Sequence, residues 1–137
     1  MVKQRVLILC TGNSARSQMA EGWLRHLAGD RFEVASAGTR PVGLNPNAVQ
    51  VMAEVGIDIS GHRSKSVDDF SGQQFDYVIT VCDSARESCP VFPAPGKRLH
   101  HNFEDPAPAP AGEQLAVFRK VRDQIRAYLQ EFVGNQR

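Results

Sequence analysis

The chain is 137 residues long and nearly balanced in charge, with 16 basic and 15 acidic residues and a net charge of +1. That length suits one domain over residues 1–137, and the balance excludes a global field that would steer the chain to nucleic acid or an anionic membrane. No apolar run is long enough to span a bilayer, and Met1 to Leu9 leads straight into a candidate catalytic loop without room for a signal peptide, so a cytoplasmic protein is expected.

Arg5 to Cys10 reads as a buried strand, and Gly12 permits a tight turn after it. Helix signals begin near Arg16, where Met19, Ala20, Trp23, Leu24 and Leu27 form an apolar stripe that Gly29 ends. Phe32 to Ala37 predicts a second strand. Asn45-Pro46 is an N-cap followed by proline at the first helical position, opening a helix through Val49, Met52 and Val55 that stops at Gly56. Phe75 to Cys82 predicts a third strand and Lys97 to Phe103 a weaker fourth. Phe118, Val121, Ile125, Tyr128, Leu129 and Phe132 mark a C-terminal amphipathic helix whose basic face is solvated surface. Strands alternating with helices indicate an α/β fold of parallel βαβ units covered on both faces.

Ligands of such sheets bind beyond the carboxyl ends of the strands, which is where Cys10 and Cys82 both fall. Cys10 opens the run Cys10-Thr11-Gly12-Asn13-Ser14-Ala15-Arg16-Ser17 between a strand and a helix. Consecutive backbone N–H groups of this loop can turn toward one oxyanion while Arg16 forks two of its oxygens. The same positive field favours Cys10 as thiolate, the nucleophilic form, and Ser17 is placed to donate to it. The Asn13 side chain is expected to tie the loop in shape. Cys82 and Cys89 are the only other cysteines, and an odd count in a reducing compartment points to catalytic or redox use rather than a disulfide framework.

Read in order, several features make the chain resemble the thioredoxin-coupled arsenate reductases, a branch of the low-molecular-weight protein tyrosine phosphatase-like family. They are the loop continued through Gln18-Met19-Ala20-Glu21-Gly22, Ser36-Ala37-Gly38, Gly43-Leu44-Asn45-Pro46-Asn47-Ala48, Val55-Gly56-Ile57-Asp58-Ile59-Ser60, Cys82-x6-Cys89-Pro90 and Asp105-Pro106. The resemblance runs from Arg5 to about Phe132. It implies a three-layer fold with a four-stranded parallel sheet and reduction of arsenate to arsenite by a relay of Cys10, Cys82 and Cys89. It also implies an oxyanion site over residues Thr11, Gly12, Asn13, Ser14, Ala15, Arg16 and Ser17, and Asp105 as general acid. Without it, Asp105 before Pro106 is only a turn starter. A protein reductant, thioredoxin, would regenerate a monomeric enzyme that needs no cofactor or metal and keeps a weak phosphatase side activity.

Local signals place a short helix between Cys82 and Cys89: Asp83 and Ser84 are capable N-caps, Ser84-x-x-Glu87 fits a capping box, and Pro90 ends the segment. Intact helix over those seven positions would hold the two Cα atoms about 10 Å apart, whereas a disulfide needs roughly 4.4–6.8 Å. Bridging them requires the helix to unwind. Two alternatives stand beside the reductase: a phosphomonoester hydrolase using only Cys10, Arg16 and Asp105, and a non-catalytic oxyanion sensor signalling through a disulfide. The four histidines show no metal-ligand spacing and are assigned no catalytic role. Some relatives bind potassium through residues corresponding to Asn13, Glu21 and Ser36 with an aspartate where this chain has Lys65; the Lys65 ammonium is expected in the ion's place beside Glu21. True tyrosine phosphatases wall their cleft with aromatic rings, which Val42-Gly43-Leu44-Asn45 lacks.

Overall fold

A computed structural model describes residues 3–89, 92 and 96–135. The first strand, β1 (Gln4–Cys10), is apolar from Val6 onward and fully buried there, because a parallel strand covered on both faces has no wet side. It pairs in parallel with β2 (Phe32–Gly38) on one side and β3 (Tyr77–Thr80) on the other, and β3 pairs with β4 (Lys97–His100), giving the order β2-β1-β3-β4. The predicted all-parallel four-stranded α/β sheet is therefore the observed one.

Helix α1 (Arg16–Ala28) connects β1 to β2, and α3 (Asp83–Ser88) connects β3 to β4 in the opposite direction along the sheet. Right-handed crossovers running in opposite directions put these two helices on opposite faces, completing three layers. The long α4 (Gln114–Asn135) packs on α1 and on α2 (Pro46–Ala53). Its Phe132 ring lies 5.5 Å from Phe32 and 5.2 Å from Tyr77, and the Trp23 indole N–H donates to the Arg122 carbonyl at 3.1 Å. No helix among the described residues is long and apolar enough to cross a membrane.

Several predicted boundaries move. The third strand is confined to Tyr77–Thr80 rather than Phe75 to Cys82, because Cys82 already caps α3, and the fourth ends at His100 rather than Phe103. The chain still follows the sheet past those ends: Val81 N–H donates to Leu9 O, and His101 and Phe103 N–H donate to Thr80 O and Val81 O. The second helix stops at Ala53 and turns through Glu54 and Val55 to Gly56, whose φ of 81° suits glycine. Asn45 caps that helix as predicted, its side chain accepting from Asn47 N–H at 2.8 Å.

The predicted caps of α3 do not form. Asp83 and Ser84 lie inside the helix, Cys82 is the N-cap without a side-chain cap bond, and the orphan Asp83 N–H is satisfied from a distance by Asn102 Oδ1 at 3.1 Å. Pro90, read as the stop signal, lies outside the described residues.

Gly22 lets α1 pack closely against the segment after α2, since a Cβ there would sit 2.8 Å from Ile59 Cγ2 and 3.2 Å from Met52 Cε. Alanine normally gains about 1 kcal/mol over glycine inside a helix, but overpacking a filled core costs roughly 1–3 kcal/mol. Gly22→Ala is expected to melt several degrees below wild type in a thermal scan. A rise in melting temperature would show that Ile59 yields without strain.

Candidate active site

Cys10 ends β1 opposite Gly38, and the chain then turns through residues 11–15 into the first turn of α1. The turn depends on Asn13, which is fully buried and adopts a left-handed φ of 46°. Its side chain explains why asparagine occupies this place. Nδ2 donates to Ser17 Oγ at 2.7 Å and to Ser36 Oγ at 3.0 Å, while Oδ1 accepts from Lys65 N–H at 2.8 Å and Gln18 Nε2 at 3.1 Å. Gly38 is required by proximity, since a Cβ there would lie 2.5 Å from Thr11 O and 2.8 Å from Asn13 N.

This scaffold holds the Cys10 sulfur 2.9 Å from Ser17 Oγ and 3.2 Å from the Asn13 N–H, which donates to it. Ala15, the N-cap of α1, has no side chain to occupy the orphan amides of the first turn. Uncapped amides at a helix start can bind an anion. Cys10, Thr11, Gly12, Ser14, Ala15, Arg16, Arg40, Val42, Asp105 and Ala107 line one cleft of about 320 Å³, and none is aromatic. Asn13 and Ser17, named with the oxyanion loop from sequence, are instead wholly buried behind it.

Arg16 is oriented by a bond from Nη1 to Phe103 O at 3.0 Å, and its Nη2 lies 3.8 Å from Asp105 Oδ2. Asp105 is half-exposed, with Oδ1 accepting from Ala107 N–H at 3.1 Å. The Ala107 carbonyl in turn accepts from Gln114 Nε2 at 2.7 Å, so the proline-rich loop holds the carboxylate over the cleft. Cys82 is buried, with its sulfur 3.3 Å from Thr11 Oγ1, one residue beyond Cys10. Cys89, at the far end of α3, is half-buried; burial pushes its thiol above the ordinary range, against the pull of the Arg98 charge. All three cysteines are free thiols.

Sequence reasoning missed the buried support of the loop. Gln18 Nε2 donates to Arg63 O at 2.9 Å and its Oε1 lies 3.0 Å from His62 Nδ1, while Ser36 Oγ donates to Glu21 Oε1 at 2.6 Å. Glu21 pairs with Arg25 at 2.8 Å, and His62 Nε2 lies 3.7 Å from the same carboxylate. The Lys65 ammonium, expected beside Glu21, feels that carboxylate's charge without a direct ion pair and donates to Arg63 O at 2.8 Å, and Lys65 reaches the loop through its backbone N–H. Arg25, reaching one turn along α1, takes the place beside the carboxylate. Nothing in the spacing of His62 or Gln18 announced these contacts, which span 44 positions.

A strand ending in a cysteine, an uncapped helix start and an arginine facing the same cleft define a cysteine-based enzyme class that handles tetrahedral oxyanions. The chain belongs to the low molecular weight phosphotyrosine protein phosphatase family, whose description matches residues 5–136. A Bacillus subtilis protein named arsenate reductase is 48% identical over 134 residues, covering 96% of each chain. A solved structure described as an arsenate reductase in its oxidized state superposes with a TM-score of 0.83 at 32% identity, covering 96% of this chain and 98% of that one. The low molecular weight protein tyrosine phosphatase of T. tengcongensis superposes with a TM-score of 0.79 at 29% identity, covering 97% of this chain and 99% of that one.

The support network carries a pH signature. Burial holds His62 below its ordinary value, outweighing the opposing pull of Glu21. A depressed folded value means that its stabilisation is present above the unfolded value of about 6.5 and is lost as pH falls through the folded one. Between about pH 7 and pH 5, wild-type protein should lose more thermal stability than His62→Gln, which keeps a polar partner for Gln18 without titrating. Parallel curves for the two proteins would remove His62 from the pH response.

Proposed function

We propose that this chain reduces arsenate to arsenite through a three-thiol relay. The observation that carries the reading is the second thiol, Cys82, held against Thr11 of the oxyanion loop, 3.3 Å from its hydroxyl. A hydrolase of this family has no step for it. The arsenate reductase relatives, at nearly full coverage, support the same reading.

The loop amides and Arg16 bind arsenate, and the Cys10 thiolate attacks arsenic while Asp105 protonates the departing oxygen, leaving a Cys10–arsenic(V) adduct. Cys82 thiolate then attacks the Cys10 sulfur. The sulfur–arsenic bonding pair stays on arsenic, which leaves as arsenite, reduced by two electrons, while the two thiols are oxidised to a Cys10–Cys82 disulfide. Cys89 next attacks Cys82, forming Cys82–Cys89 and releasing the Cys10 thiolate. A dithiol protein of the thioredoxin kind would take up the final disulfide. One core and one sheet support a single domain over residues 1–137, and Val42 as the sole exposed large hydrophobic among the described residues fits a monomer.

Hydrolysis of phosphomonoesters is the second reading, favoured by the family and by the shared Cys10, Arg16 and Asp105 cleft. The lack of an aromatic ring on the cleft wall leaves an aryl phosphate nothing to stack on, so this activity would be weak.

Single-turnover arsenite release with thiol counting tests the relay. Cys10→Ser should lose both arsenate reduction and phosphatase activity. Cys82→Ser and Cys89→Ser should each stop multiple turnover while hydrolysis of a small aryl phosphate persists; if both activities fall together in folded protein, those thiols are structural.

Arg16→Lys should lose roughly a hundredfold or more in kcat/KM, because a point charge does not reproduce the two-oxygen fork. A lysine variant close to wild type would show that the loop amides alone bind the anion.

A further inference from the structure

The short helix α3 is fastened at its start by groups for which the proposed relay has no use. β4 is the edge strand, and its last residue, His100, pairs in register with Thr80. The His100 ring bridges two partners: Nδ1 lies 2.7 Å from Thr80 Oγ1, and Nε2 lies 2.7 Å from Asp83 Oδ1. Asp83 is the first residue of α3 and follows Cys82 directly. Its backbone N–H is held as well, by Asn102 from the same segment.

The donor and acceptor roles along the bridge follow from the form of the imidazole. With neutral His100, the Thr80 hydroxyl donates to Nδ1 and Nε2–H donates to Asp83. With the imidazolium, Nδ1–H donates to Thr80 Oγ1, whose own proton turns to the Leu99 carbonyl 3.4 Å away, and the Asp83 contact becomes an ion pair. The histidine side chain is largely covered whereas the aspartate is exposed. The fixed partner is therefore His100, and the one free to leave is Asp83. Arg98, two positions earlier and so on the same face of β4, acts electrostatically on Cys89 at the other end of the helix.

Closing a Cys82–Cys89 disulfide has to draw in residues that follow Cys82, because Val81 is pinned by bonds to Leu9 O and from Phe103 N–H. Asp83, held by the side chains of His100 and Asn102 rather than by the sheet, is the first residue that has to move. We propose that His100 is a positioning residue for the redox segment: together with Thr80 it latches Asp83, favouring the wound dithiol form of residues 82–89, and the latch opens when the two sulfurs join. The inference rests on the relay reading, but it can fail separately.

The test uses the full chain carrying Cys10→Ser, so that Cys82 and Cys89 are the only thiols, equilibrated with the cyclic disulfide of dithiothreitol. The protein dithiol passes two electrons and two protons to that disulfide, yielding Cys82–Cys89 and reduced dithiothreitol. His100→Leu and Asp83→Ala should each raise the equilibrium constant for disulfide formation about three- to tenfold, as expected for a partly exposed charge-assisted contact. The double variant should rise no further than the larger single effect. Asp83→Asn, which keeps an acceptor oxygen for Nε2–H but loses the charge, should fall between the parent and Asp83→Ala. If His100→Leu fails to fold, His100→Asn, which retains a partner for Thr80 but falls short of Asp83, replaces it. An unchanged constant, or single effects that add, overturns the latch. A parent that forms no Cys82–Cys89 disulfide at any dithiothreitol ratio overturns the relay, and the latch with it.

Discussion

Asn13 is the constraint on which the site depends. A non-glycine residue in the left-handed region costs on the order of 1–2 kcal/mol, and it persists because one buried amide ties the loop to three separate pieces of chain. Through Ser17 and Gln18 it binds α1, through Ser36 it binds β2, and through the Lys65 N–H it binds the segment before β3. Its backbone N–H remains for the Cys10 sulfur. The geometry of the nucleophile is thereby tied to the sheet and to the α1 packing, so changes far from the cleft can reach it.

Behind that amide lies a charged layer, Glu21 with Arg25, His62 and Lys65 nearby. Burial disfavours charge on both His62 and Lys65, while Glu21 opposes the shift in each. A carboxylate buried at 5% exposure is costly without a cationic partner, and Arg25, one helical turn along, supplies the closest one. The layer holds the loop from the rear and leaves its front facing the cleft.

Much of this was legible in the sequence because it is local. The apolar stripe of α1, the Asn45-Pro46 start of α2 and the Cys10-to-Ser17 loop are each written within a few turns of chain, where spacing and side-chain type suffice. What stayed hidden depends on register. That Thr80 meets His100, that Gln18 reaches His62 and that Asn102 rather than Ser84 satisfies the start of α3 follow only once the parallel strands are aligned. The ends of β3 and β4 were overextended for a related reason: Val81, His101 and Phe103 keep sheet-like backbone bonds after the strands have formally ended, so the apolar pattern continues past them. The Lys65 expectation, carried over from a family correspondence, found the right neighbourhood but not the direct ion pair, which Arg25 makes with Glu21 from within α1.

The half-buried Cys89 shapes when chemistry happens. While α3 is wound, burial keeps this thiol in its protonated, poorly nucleophilic form, and on the proposed relay unwinding both shortens its distance to Cys82 and removes the cover that disarms it. Reach and reactivity are thus switched on by one motion. A stray electrophile or peroxide meeting the resting protein encounters a half-sheltered third sulfur, and on the proposed relay its order would be kept by the fold itself, with no separate timing device.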